Sequence, residues 1–270
     1  QFAADEILPR YQATNAVLEQ IIREQGIVSI PSRPLVIRMA SEAESAATPQ
    51  PHLRTPRLVG NTGELIEFLM PMIAQPPPGE ARPLDDHTYE AMAWTLSAHE
   101  ARPGHELQFS AMLESGVSDA RVLFAFNSVN VEGWALYAEQ LAREMGFYQD
   151  PMRNFGRLQD EIWRSVRLVT DTGIHAMRWT REEAIDYFRE NTPISDGDIV
   201  TEVERYFVNP GQALGYKLGM LKILELRQRA QEQLGDQFDI RDFHDRILEE
   251  GALPLNLMET KIDEWIADQL

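Results

Sequence analysis

The stretch SAHEARPGHELQFSAM, residues 97–112, decides how the chain is read. His99 and Glu100 stand side by side, and His105 follows six positions after His99. Between the histidines lies Pro103-Gly104, the pair least tolerated inside a helix. Histidines four apart share one helix face, and the zinc signature H-E-x-x-H uses that spacing. Six steps of about 100° instead leave His105 roughly 120° away from the face of His99. A straight helix therefore separates the two rings. The Pro-Gly pair either ends a helix by chance or turns His105 back towards His99.

Apolar periodicity on both sides of this stretch predicts a mainly α chain. A helix is expected over 5–25, with Ile7, Tyr11, Leu18 and Ile22 among its apolar positions and Gly26 as its stop. Residues 27–84 read as an irregular segment, rich in proline, with one clear strand candidate at 35–39. Asp86 is placed to cap a helix running to His99. Further helices are expected over 105–113, 129–145, 151–179, 199–207, 212–234, 240–249 and 257–270. Thr180-Arg181-Glu182-Glu183 forms a capping box that opens one more, to about residue 190. The reading is one helical domain, with residues 85–270 carrying the chemistry and residues 1–84 an N-terminal helix and a strand-containing segment.

Composition narrows the function. The 270 residues carry a formal charge of −18, which argues against nucleic acid as a partner. No run of eighteen apolar residues exists, so no membrane-spanning segment is expected. Without cysteine there are no disulfides, thiol nucleophiles or thiolate-held metals. The chain starts at Gln1 inside a helical pattern, from which upstream sequence is expected.

A zinc site at His99 and His105 needs a third ligand. The stretch NSVNVEGWALYAEQL, residues 127–141, offers Glu132 and Glu139 on nearly one helix face. Glu132 lies deeper in apolar sequence, with Gly133 leaving room for close approach. Glu139 reads as a solvated helix position. His52, His87 and His244 read as surface or capping residues. Arg167, Asp171 and His175 recur every four residues as a polar stripe. They form either a substrate-binding edge, with Asp171 fixing the tautomer of His175, or an ion-pair ladder at a helix contact. Around a later Pro-Gly break stand Arg205, Tyr206, Gln212, Tyr216 and Lys217. A tyrosine hydroxyl there can stabilise an oxyanion or simply be a core aromatic with a wet edge.

Five stretches together resemble the bacterial family labelled domain of unknown function 885. They are HEARPGHELQ, VEGWALYAEQLAREMGFYQDP, RLVTDTGIHAMRWTREEAIDYF, VERYFVNPGQALGYKLGMLKI, and LELRQRAQEQLG with FDIRDFHDRILEEGALPL. The resemblance covers at least residues 90–260, and the chain looks like the C-terminal half of longer members, whose missing N-terminal half is then a partner. The family in turn is similar to gluzincin metallopeptidases, mostly helical enzymes. That resemblance implies one zinc ion held by His99, His105 and Glu132, with Glu100 as general base. It implies Tyr216 as the oxyanion group and His175 as a substrate-binding histidine. Arg205, Tyr206 and Gln212 are the remaining substrate-binding candidates, with Asp171 and Arg167 behind them. Gluzincins often place an acidic residue four positions after the glutamate ligand; here that position is Leu136. The implied activity is hydrolysis of a peptide or other small substrate, in the bacterial envelope. The rival expectation is a non-catalytic helical binding module with a degenerate metal site.

Overall fold

The computed structural model describes residues 1–73 and 87–270. Asp86, the expected helix cap, and the Pro76–Gly79 run lie outside these residues. The first helix, α1 (Ile7–Gln25), ends where Gly26 takes a left-handed conformation (φ 61°), as its sequence implies. The segment that follows holds β1 (Val36–Met39), α2 (Glu42–Ala47), β2 (His52–Arg54) and β3 (Glu67–Met70). β3 is the central strand, parallel to β1 and antiparallel to β2. Its Phe68, Leu69 and Met70 are fully buried, and Phe68 meets Tyr11 of α1 edge to face. The irregular segment is therefore a small sheet fastened to α1 by apolar contact.

The remaining elements are helical: α3 (Glu90–Glu100), α4 (His105–Ser115), α5 (Asp119–Phe124), α6 (Ser128–Glu144), α7 (Pro151–Met177) and α8 (Arg181–Asn191). After these come α9 (Asp196–Val208), a 3-10 turn at Gln212–Leu214, α10 (Gly215–Leu234), α11 (Ile240–Glu249) and α12 (Leu255–Gln269). The chain is a single, mainly α domain. Thr180 and Glu183 make both reciprocal bonds of a capping box at the start of α8. Two boundaries differ from the expectation for a physical reason. α9 starts at Asp196 because Ser195 accepts from the Asp198 amide. α7 ends at Met177 because Arg178 turns left-handed (φ 62°).

One apolar cluster joins α1, α3, α6, α10, α11 and α12, and a second joins α7, α8 and α9. α6 and α10 touch through backbone. A Cβ on Gly133 would lie 2.4 Å from Gly219 Cα, and one on Gly219 would lie 2.1 Å from Val129 O. This contact is the close approach that Gly133 allows. It sets the residues before and after Gly133 against the start of α10.

His87 and His244 are buried, against their reading as surface residues. His244 is fully enclosed. Its Nδ1–H donates to the Ile27 carbonyl at 2.6 Å, and Tyr137 Oη donates to its Nε2 at 2.7 Å. That arrangement needs a neutral ring, and burial lowers its pKa to about 4. His52 remains half-exposed, with Nδ1 near Gln50 O.

The break between α3 and α4 is a tight turn. The Arg102–Pro103 peptide is cis, and Gly104 rests against the last turn of α3. A Cβ on Gly104 would sit 1.8 Å from His99 O and 2.4 Å from Ala98 O, so only glycine fits. Trp134 Nε1 of α6 donates to Pro103 O (2.9 Å), with Gly104 O at 3.3 Å. Arg102, 2% exposed, donates to Glu106 (2.5 Å) and to Arg33 O (2.5 Å). Helix α6 and the N-terminal segment thus clamp the turn from two sides.

Two measurements check these packing arguments. His244 binds a proton more readily unfolded than folded, so stability falls as pH drops from about 6.5 towards 4. The full loss at this group is on the order of 3 kcal/mol, and chemical denaturation of His244→Gln will show a flatter profile across that window. Gly104→Ala is expected to lose about 2 kcal/mol or more by overpacking against backbone. Gly197→Ala, with only Ser195 Oγ within 4 Å, serves as the thermal-denaturation control and stays near the parent.

Candidate metal centre

The turn sets His99, near the end of α3, against His105, the first residue of α4. Their ring centroids are 4.8 Å apart and the planes are perpendicular (89°). Both rings are buried, at 3% and 7% exposure. The Pro-Gly pair therefore does bring the histidines together, and one ligand atom each of His99, Glu100 and His105 falls within 4.8 Å of the others.

Glu132 on α6 completes the cluster. Its Oε2 lies 3.3 Å from His105 Nε2 and 3.9 Å from His99 Nε2. Four donors around zinc at about 2.05 Å stand roughly 3.3 Å from one another. The Glu132–His105 separation matches that value and the Glu132–His99 separation is wider. His99 and His105, with either Glu132 or Glu100, thus offer donors that could hold one divalent ion.

Behind His99 lies the partner that the sequence concealed. Glu139, expected in solvent, is 1% exposed. Its Oε1 accepts from His99 Nδ1 at 2.7 Å and its Oε2 accepts from Thr95 Oγ1 at 2.8 Å. An acceptor at Nδ1 places the proton there and leaves the Nε2 lone pair facing Glu132 and His105. The acidic group absent at Leu136 is supplied one turn later, by a residue on the same helix face as Glu132. The signal was the seven-residue spacing, but only the packing of α3 against α6 reveals that this face is enclosed.

Electrostatics follow from the burial. Desolvation, with His105 and Arg164 nearby, holds the His99 pKa well below its usual value, so the ring is neutral. Burial opposes charging His105 as well, but Glu132 outweighs it and raises the pKa. For Glu132, burial pushes up while His105 pulls down, and the carboxyl settles at about 2. For Glu100, desolvation outweighs the pull of His105 and raises the carboxyl to about 7. Glu139 is likewise raised by burial to about 7. The carboxyls of Glu132 and Glu100 are therefore driven in opposite directions.

Around the cluster, Tyr216 stacks near His99 (centroids 6.3 Å, planes at 20°) and its hydroxyl accepts from Gln212 Nε2 at 3.4 Å. Gln212 Nε2 donates to Glu132 Oε1 at 3.2 Å, and Arg205 donates to Gln212 Oε1 at 2.5 Å. These three candidates form one chain leading outward from Glu132. Arg167 lies with its guanidinium 4.4 Å from the Tyr216 ring centre and donates to Tyr206 Oη and Glu202. Lys217 pairs with Glu161 at 2.7 Å.

Three candidates stand differently from their expected roles. Tyr206 is 1% exposed in the second apolar cluster, its hydroxyl donating to Glu202, so it is a core aromatic and not a ligand-facing group. Asp171 accepts from the Gly211 amide at 3.0 Å and caps the turn ahead of Gln212. It does not fix the His175 tautomer, because His175 Nε2 meets the Tyr206 carbonyl at 2.9 Å instead. His175 is exposed, with no described contact to the cluster. The polar stripe is therefore a bracing row that orients the α9–α10 turn.

No curated protein matches the chain. Among solved structures, a candidate lipoprotein from Colwellia psychrerythraea aligns with TM-score 0.84 and 35% identity, over 98% of this chain and 43% of its own. A candidate lipoprotein of unknown function from Shewanella oneidensis shares the fold, with TM-score 0.79 and 22% identity, over 96% of this chain and 46% of its own. The chain thus spans less than half the length of these two relatives. Residues 1–262 match the family described as "Bacterial protein of unknown function (DUF885)", so the match takes in the N-terminal helix and sheet as well as the motif-bearing helices. The chain belongs to that family.

Proposed function

We propose that this domain is a zinc-dependent hydrolase acting on a peptide bond, with His99, His105 and Glu132 holding the metal and Glu100 as general base. One observation carries the reading above the rest. Glu139 pins the proton of His99 on Nδ1, so the free Nε2 lone pair faces the same space as His105 Nε2 and Glu132 Oε2. A buried histidine braced by a buried carboxylate, with its other nitrogen left as an acceptor beside a second histidine, is the arrangement a metal ligand requires.

A zinc ion there supplies Lewis-acid activation of water and of the substrate carbonyl. The protein's own groups divide the rest. Glu100, with its carboxyl near 7, gains and loses a proton readily at neutral pH, as a general base must. Tyr216, its hydroxyl beside Glu132 and its pKa raised by burial, remains a hydrogen-bond donor to developing negative charge. Gln212 and Arg205 extend from Glu132 towards solvent and are the groups available to orient a substrate. An envelope location is part of the proposal, supported by the naming of two relatives as candidate lipoproteins. No helix among the described residues is long and apolar enough to cross a membrane.

Elemental analysis of the purified chain is the deciding experiment: about one zinc per chain, lost in His99→Ala, is expected. A folded parent chain that takes up no zinc on reconstitution overturns the proposal in favour of a binding module. Glu100→Gln should retain zinc and lose turnover by about 100-fold or more. Full activity in that variant removes Glu100 from its role. Glu139→Ala should weaken zinc affinity by roughly 10–100-fold through a misoriented His99, read by competition with a chelator.

A further inference from the structure

Helix α7 is inside out. A helix on the surface of a domain turns apolar residues inward and charges outward. On α7 the buried positions include Arg157, Asp160, Arg164, Arg167 and Asp171, all below 8% exposure. The outward face carries Phe155, Leu158, Ile162 and Val169, at 50%, 47%, 41% and 40% exposure. Ser165, Thr172 and Ala176 continue the same row, so no charged side chain interrupts it.

These positions step by three and four residues alternately, the spacing that keeps one seam facing a partner helix. At 1.5 Å per residue the row is about 30 Å long. Water gains nothing from such a face, and isolated exposed apolar residues do not explain a continuous one. The inward charges are paired, Arg164 with Asp160, Arg157 with Glu161, and Arg167 with Glu202 and the rings of Trp163 and Tyr216. Of the outward row, Phe155 borders a hollow with Met92 and Ile194, while Leu158, Ile162 and Val169 stand open to solvent.

The length comparison says what covers it. More than half of each longer relative has no equivalent in these 270 residues, while the matched region includes all of α7. We infer that the outward face of α7 is an interface for an apolar-faced helix belonging to the portion of the longer chain beyond these 270 residues. That portion then lies on the far side of α7 from Arg164 and Arg167. The face and its occupant are independent of zinc.

The chain has no cysteine, so single-cysteine variants report accessibility directly. Ile162→Cys and Val169→Cys are compared with Asp186→Cys, whose parent side chain is 67% exposed. In the full-length protein as encoded, maleimide labelling at 162 and 169 is expected to be at least about tenfold slower than at 186, at every protein concentration. Labelling as fast as at 186 overturns the inference. Protection that grows with protein concentration assigns the face to a second copy, and protection that appears only with lipid vesicles assigns it to a membrane surface. Either result also overturns it.

Discussion

Everything at the candidate centre depends on a backbone contact: Gly104 resting against the terminal carbonyls of α3, with no room for a Cβ. A tight turn joins two short helices at this point, and their adjoining ends carry His99 and His105. The hydrogen bond from Trp134 ties the turn to α6, two residues from Glu132. One clamp therefore fixes all three donor groups relative to one another. Hydrophobic burial around α6 and α10 supplies the rigidity, and the Gly133–Gly219 contact sets how near Tyr216 and Gln212 can come.

Much of the helical framework was legible in the sequence because helix signals are local. Gly26, the Thr180–Glu183 capping box and the Pro-Gly breaks each act within a few residues, and the structure uses them as the patterns imply. The three-stranded sheet was only half visible. Strands of three and four residues are too short for alternation to register, and β3 gains its place between two partners far from it in sequence, one of them, β1, some 30 positions before it. The short helices α2 and α5 bury nothing, so no apolar period marks them.

The site was legible where its residues are neighbours in sequence and hidden where burial decides. His99, Glu100 and His105 announce themselves, and the structure joins them to Glu132. Glu139 and His244 were misjudged for the same reason: a polar residue's environment is set by whatever helix packs over it. For Glu139 that is α3, bringing Thr95 and His99; for His244 it is the Ile27 carbonyl and Tyr137. His175 failed in the opposite sense. Its helical spacing from Asp171 suggested a pair, but each side chain found a backbone partner across the α9–α10 turn.

The separations in sequence among these partners also imply an order of assembly. His99 and His105 meet through a local turn, whereas His99 reaches Glu139 across 40 residues and Gln212 reaches Glu132 across 80. Loop-closure entropy makes the wider contacts the later ones. A nascent chain therefore presents two histidines before it presents the carboxylates that brace and complete them. Only docking of α6 and then α10 encloses the two rings and brings the bracing carboxylates to them.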